Sequence, residues 1–167
     1  MQIKPLILLA SARKESDTLK LVESIFRENE AELIDLLDYK IYPYNYEEQY
    51  PNDDQFISLF DTILKHHKII FATPVYWYSM SGPMKIFFDR LTDITGSGKE
   101  IGKQLKGKEI FLLAVGTDPL IPEGFEIPFQ LTSKYFDMNF ISTYYCRSNR
   151  IQEMNAEKQA FIQKIKQ

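Results

Sequence analysis

"TPVYWYSMSGPMKIFFDRL", Thr73 to Leu91, follows a short apolar run and holds five aromatic residues, two prolines and a glycine. Tyr76, Trp77 and Tyr78 stand side by side, with Pro74 before them and Gly82-Pro83 after them. That bracketing matches neither helical nor strand spacing, so the three rings belong to a loop. A loop dense in rings points to a flat ligand. An amphipathic run from Ser81 to Thr92 follows, and the stretch reads as the end of a strand, a ring-bearing loop and a helix.

Outward from this unit the same alternation repeats along the chain. Short apolar runs predict strands at Ile3 to Ala10, Ala31 to Leu36, Lys68 to Ala72, Glu109 to Val115 and Met138 to Tyr144. Between them lie predicted helices at Ser16 to Glu28, Asp53 to His67, Ser81 to Thr92, about Phe125 to Phe136, and Glu153 to Lys166. Asp53 is placed to cap the second helix, putting Phe56, Leu59, Ile63 and His67 on one stripe, and Met154, Phe161 and Ile165 form a stripe in the last. Strands alternating with helices predict an α/β fold with a doubly wound parallel sheet, for which the order 2-1-3-4-5 is one of two common solutions. The 167 residues fit a single domain, 1–167, and 44% apolar residues suffice for one core.

Composition also narrows the partners. A net charge of -3 with scattered Lys and Arg gives no footprint for nucleic acid or an anionic membrane surface. "PLILLA" is too short to span a bilayer, and "SARKES" follows it in place of a cleavage site. The single cysteine, Cys146, has neither a disulfide partner nor a metal-spaced neighbour, which fits a reducing, cytoplasmic setting and no metal site. "TDITGSGKEIGKQLKGK" reads as a surface connection. The segment "YKIYPYNYEEQYPND" carries rings that are costly to leave exposed. It is expected to cover a sheet end, meet another subunit or rim a ligand.

In an open parallel sheet, ligands bind beyond the carboxyl ends of the strands where the winding reverses, here between the first and third strands. Three loops fall there. The first, "SARKESDT", leads Ser11, Arg13, Ser16 and Thr18 into a helix, and hydroxyls, N–H groups and a guanidinium at a helix N-terminus suit a phosphate monoester. It contains no glycine, so the close approach needed by a pyrophosphate is not provided. The second, "TPVYWYS", sets a proline-stiffened backbone and three rings beside that site, where a planar heteroaromatic could stack. The third, "VGTDP", ends the fourth strand at Gly116, where a missing side chain lets backbone approach a ligand.

Together, "SARKESDT" and "TPVYWYSMSGPMKIFFDRL" resemble the NAD(P)H-dependent FMN reductase family of flavodoxin-like proteins, whose first loop runs roughly G-S-x-R-x-x-S-x-T and whose second runs P-x-Y-x-x-S before K-x-x-x-D-R. The resemblance implies a flavodoxin-like three-layer sandwich that binds FMN and uses NAD(P)H as co-substrate. It implies the phosphate at Ser11, Arg13, Ser16, Asp17 and Thr18, and the isoalloxazine edge at Pro74, Val75, Tyr76, Trp77 and Ser79. Ala10 stands where the family often has Gly, and Asp17 where Asn is common. A carboxylate near a phosphate repels it, so the Asp17 side chain is expected to turn outward and leave its N–H to the ligand.

A phosphoryl receiver would need clustered carboxylates at these strand ends, where this chain has "ASARK" and "ATPVY". A flavodoxin-like electron carrier is the competing reading, but such carriers tend to be strongly acidic. The expected function is therefore hydride transfer from NAD(P)H to a small acceptor: a quinone, a free flavin, or an azo or nitro compound. No residue is assigned a catalytic role, because the flavin carries the chemistry. His66 and His67 are expected far from the site. The surplus of rings predicts a homodimer, which the resemblance also implies.

Overall fold

A computed structural model describes residues 3–167. Five parallel strands, β1 (Leu6–Leu9), β2 (Glu32–Asp35), β3 (Lys68–Pro74), β4 (Glu109–Gly116) and β5 (Asn139–Arg147), lie in the order β2-β1-β3-β4-β5. This is the expected doubly wound sheet, with its winding reversed between β1 and β3. Strand alternation sends Leu6, Leu8, Ile69 and Phe71 to one face and Ile7, Leu9, Ile70 and Ala72 to the other. Helices α2 (Phe56–Ile63), α3 (Gly82–Arg90) and α5 (Ile127–Tyr135) cover the first face, and α1 (Asp17–Ile25) and α6 (Ala156–Lys166) cover the second. Phe56, Phe60, Phe71, Phe87, Phe88 and Phe129 pack edge to face and tilted on the first face, where each buried ring contributes roughly 1.5–3 kcal/mol.

Several boundaries differ from those expected. Helix α2 starts at Phe56, because Asp53 is drawn away by Lys40 Nζ (2.7 Å) and the Tyr42 hydroxyl (3.1 Å) and caps nothing. It ends at Ile63, which leaves His67 exposed and off the stripe. His66 is buried at the opposite edge of the sheet from the strand carboxyl ends, with Nδ1 2.7 Å from the Lys4 carbonyl and Nε2 3.1 Å from Glu32. Asn155 caps α6, so Met154 falls outside it and is exposed. Lys158 takes an inward position of that helix and donates to Ser24 Oγ and the Ile151 carbonyl. The connection after α3 is not a plain surface loop: Leu91–Ile94 form a 3-10 turn, α4 spans Lys99–Lys103, and Ile94 and Leu105 are buried.

The tyrosine-rich segment is fastened by Arg90, which closes α3 and is fully buried. Its guanidinium donates to both Asp54 carboxylate oxygens (2.7 and 2.9 Å), to Asp93 (2.7 Å) and to the Tyr42 carbonyl (2.9 Å), and lies 3.5 Å from the centre of the Tyr50 ring. Tyr39 and Ile41 pack on the core. The segment is thus a packed loop. Desolvation alone would raise the Asp54 carboxyl, but its bonds to Arg90 and to the N–H groups of Tyr42 and Phe56 outweigh that and hold it below the ordinary carboxylate range. Stability from Asp54 is therefore complete above the unfolded-state pKa of about 3.9 and is lost as pH falls through the depressed folded value. Urea unfolding followed from neutral pH downward should show a loss below about pH 4 that is shallower in Asp54→Asn. An equally steep loss in that variant would assign the acid sensitivity to other groups.

Candidate functional site

A cavity of about 550 Å³ opens at the carboxyl ends of β1, β3 and β4, where all three loops meet. In the first loop Ser11, Ser16 and Thr18 are buried, and Ser16 Oγ accepts the Leu19 N–H at 3.2 Å to cap α1. The N–H groups of the first helical turn are left without intrahelical partners. Asp17 does turn its carboxylate away, to Lys20 Nζ at 3.0 Å. Lys14 is also turned aside, pairing with Asp35 (2.9 Å) and Asp38 (2.5 Å), and its hydrogen bond to Asp38 holds the ammonium above its ordinary pKa. Arg13 remains at the cavity wall and pairs with no carboxylate among the described residues.

The second loop leaves β3 at Pro74 and is held on both sides. Val75 N donates to the Val115 carbonyl at 2.7 Å. Ser81 Oγ donates to the Ala10 carbonyl (2.8 Å) and accepts the Met84 N–H, while Ser81 N donates to Thr73 Oγ1, so one serine joins the end of β1 to the start of α3. Between these anchors Tyr76 and Ser79 exchange N–H···O bonds of 2.9 and 3.0 Å. They close a two-residue hairpin whose centre is Trp77 (φ 47°) and Tyr78 (φ 65°). Positive φ at both central positions is the requirement of a primed turn, which ordinarily selects Asn or Gly. Here the two residues are aromatic, and Trp77 is 92% exposed.

Tyr76 and Trp77 line the cavity together with Pro74, Val75 and Gly116. Ser79, expected at the same edge, does not line the cavity and instead closes the hairpin with Tyr76. Gly116 has a reason not foreseen from sequence: a Cβ there would stand 2.7 Å from the Tyr145 hydroxyl, which donates to the Asp118 carbonyl at 2.8 Å and so fixes the third loop. Val115, Thr117 and Ser148 also line the cavity. Thr117 lies within the motif "VGTDP", whereas Ser148 follows a strand that ends three residues later than expected and had no local signal.

The donor set suits a phosphate at one end and a planar ring at the other. Thr18 Oγ1 is buried, lines the cavity and has no hydrogen-bond partner among the described residues. A buried hydroxyl left unpaired is costly, and a ligand oxygen in the cavity would satisfy it. Arg147 Nε, at the end of β5 opposite Gly116, is likewise buried and unpaired among the described residues, but Arg147 does not line the cavity.

The description of the NADPH-dependent FMN reductase family matches residues 3–120, which carry β1 to β4 and all three loops. A Bacillus subtilis (strain 168) relative, YwqN, whose own assignment as an NAD(P)H-dependent FMN-containing oxidoreductase is inferred, is 37% identical over 70 residues. That stretch is 41% of this chain and 39% of the relative, so the match spans well under half of either. Among solved structures, the Trp repressor binding protein from Bacillus subtilis is 25% identical with a TM-score of 0.74, over 96% of this chain and 98% of that one. The general stress protein 14 of Treponema denticola, solved in complex with FMN, shares the fold at 15% identity and a TM-score of 0.70, over 98% of both chains. Matched through both the hydroxyl-rich loop and the ring-bearing loop, the chain belongs to the NADPH-dependent FMN reductase family.

Proposed function

We propose that residues 1–167 act as a single FMN-binding domain that takes hydride from NADH or NADPH and delivers it to a small acceptor such as a quinone, a free flavin, or an azo or nitro compound. The observation that carries this reading is one cavity joining a buried hydroxyl cluster, with Thr18 Oγ1 unpaired, to a hairpin that displays aromatic rings. Ser11, Arg13, Ser16, Thr18 and the Asp17 N–H would hold the phosphate. Pro74, Val75, Tyr76, Trp77 and Gly116 would hold the ring system, with Ser79 supporting the turn. Bound FMN supplies two-electron chemistry that no side chain here offers. The chain's share is to bind and orient: Arg13 offsets the phosphate charge, and the hairpin rings exclude water from one side of the cavity. No protein acid or base is assigned, because no titratable side chain except Arg13 and Asp17 lines the cavity besides the Tyr76 hydroxyl.

A homodimer in a cytoplasmic, reducing setting completes the reading; the buried, unpaired Cys146 supports the reducing setting alone. Among the described residues no helix is long and apolar enough to cross a membrane. The experiment is anaerobic mixing of the FMN-loaded protein with NADH and then NADPH. Bleaching of the yellow colour within seconds, with steady NAD(P)H oxidation once a quinone is added, is the expected result. A flavin that stays oxidised with both donors yet accepts electrons from dithionite would make the protein an electron carrier instead.

A further inference from the structure

At the amino ends of the strands, opposite the proposed flavin site, lies a second cavity of about 620 Å³. It opens where the last turns of α1 and α6 stand over the starts of β1 and β3. Its apolar lining is Ile3, Pro5, Ile25, Phe26, Ile162 and Ile165, of which Ile25 and Ile165 belong to the core of the second face and Ile3 is 64% exposed. The wall is fixed on two sides. Lys68 Nζ donates to the Ile165 carbonyl at 2.6 Å and ties the end of α6 to the start of β3, while the Lys4 carbonyl is bonded to His66 Nδ1. A concave, mostly apolar site of this volume with a few polar groups has the dimensions of a small-molecule site. Strand β3 runs from Lys68 here to Pro74 in the other cavity, so about 20 Å separates the two.

We propose that this cavity binds a small amphiphile with a single negative charge, a carboxylate on an aliphatic chain such as a medium-chain fatty acid. Charge selects the anion. Lys4, Lys68 and Lys166 line the cavity against one acid among the described residues, Glu30. Lys68 is engaged by the Ile165 carbonyl and by Glu109 at 3.7 Å, and Glu30 accepts the Arg27 N–H at 2.9 Å. Lys4 and Lys166 are exposed and have no ion-pair partner among the described residues. Two free ammonium groups beside an apolar floor complement a charged head on an apolar body. One negative charge suits the site better than the two of a phosphate, because no arginine fork lines it and α1 and α6 both end there, where the partial negative charge of their C-termini opposes a dianion. An alkyl body suits it better than a ring with polar edges: aliphatic side chains and one phenyl ring form the lining, and no hydroxyl or amide side chain among the described residues reaches it. The cavity shares no lining residue with the flavin site, so the proposal does not rest on the FMN reading.

Calorimetric titration and saturation-transfer NMR with submicellar decanoate, octanoate and 1-octanol test the assignment. One decanoate should bind per chain, with octanoate about tenfold weaker, since each buried CH₂ is worth roughly a fourfold change in affinity. Lys4→Glu combined with Lys166→Glu should weaken decanoate about tenfold and leave 1-octanol unchanged. Both lysines are exposed, so circular dichroism of that variant should report an unaltered fold. Ile162→Trp, which fills the cavity, should abolish binding of all three. FMN titrated alongside should bind equally with and without decanoate. Decanoate that fails to bind at millimolar concentration, that binds the charge-reversed variant as well as the parent, or that displaces FMN from the other end of the sheet would overturn the inference. So would a protein that ignores decanoate but binds phosphatidylglycerol vesicles, because the lysines would then face a lipid surface. A chain that obeys the decanoate predictions yet binds no FMN would overturn the proposed function alone.

Discussion

Replacing Arg90 by alanine should lower the unfolding free energy by about 3–5 kcal/mol, the loss expected when one partner of a buried ion pair is removed. Arg90 is fully buried and satisfies Asp54, Asp93 and the Tyr42 carbonyl at once, while its flat face lies against Tyr50 and Phe56. Truncation would strand two carboxylates and free the tyrosine-rich segment from α3. For a chain of this size the midpoint of thermal unfolding should fall by roughly 6–20 °C. Lysine should recover little, since one ammonium cannot span both carboxylates as the guanidinium fork does. FMN affinity of the folded fraction should change little, because none of these residues lines the cavity. A loss below about 1 kcal/mol would mean that solvent or rearrangement replaces the cluster.

Arg13→Ala should weaken FMN by about tenfold to a hundredfold and riboflavin hardly at all, because a charge-assisted bond to phosphate is worth roughly 1.5–3 kcal/mol. The contrast between ligands is the informative part. A general disturbance of the loop would weaken both, whereas loss of a phosphate partner acts only on the ligand that has the phosphate. Arg13 is suited to the comparison because Ser16, not Arg13, caps α1, and Lys14, not Arg13, ties the loop to β2. Calorimetric titration with both ligands decides the matter, and equal losses would place Arg13 outside the phosphate site.

The sheet order was legible because it rests on local patterns: apolar runs short enough for strands, separated by amphipathic stretches long enough for helices. The gathering of loops at one edge was legible for the same reason. What escaped depends on contacts between residues distant in sequence. Asp53 has the chemistry of a helix cap, but Lys40 and Tyr42 compete for it from another segment. Lys158 reads as a solvent-facing lysine, yet Ser24 and the Ile151 carbonyl accept its protons inside the protein. The reason for Gly116 lies in Tyr145 on the neighbouring strand, and β5 outran its predicted end because "YCR" does not look like a strand until β4 pairs with it. Ser148 reached the cavity only through that extension.

The Tyr76–Ser79 hairpin bears on how the free protein meets a flat molecule. Left-handed backbone at non-glycine residues costs roughly 1–2 kcal/mol each, and Trp77, almost wholly in solvent, recovers little of that by packing within the chain. The energy is spent at folding and not at association. A planar visitor therefore encounters rings already turned outward on a backbone fixed by two hydrogen bonds, and little further ordering is deducted from its affinity. Selection for stability alone would have favoured Asn-Gly at this turn. Keeping two bulky rings there trades resistance to unfolding for readiness to bind.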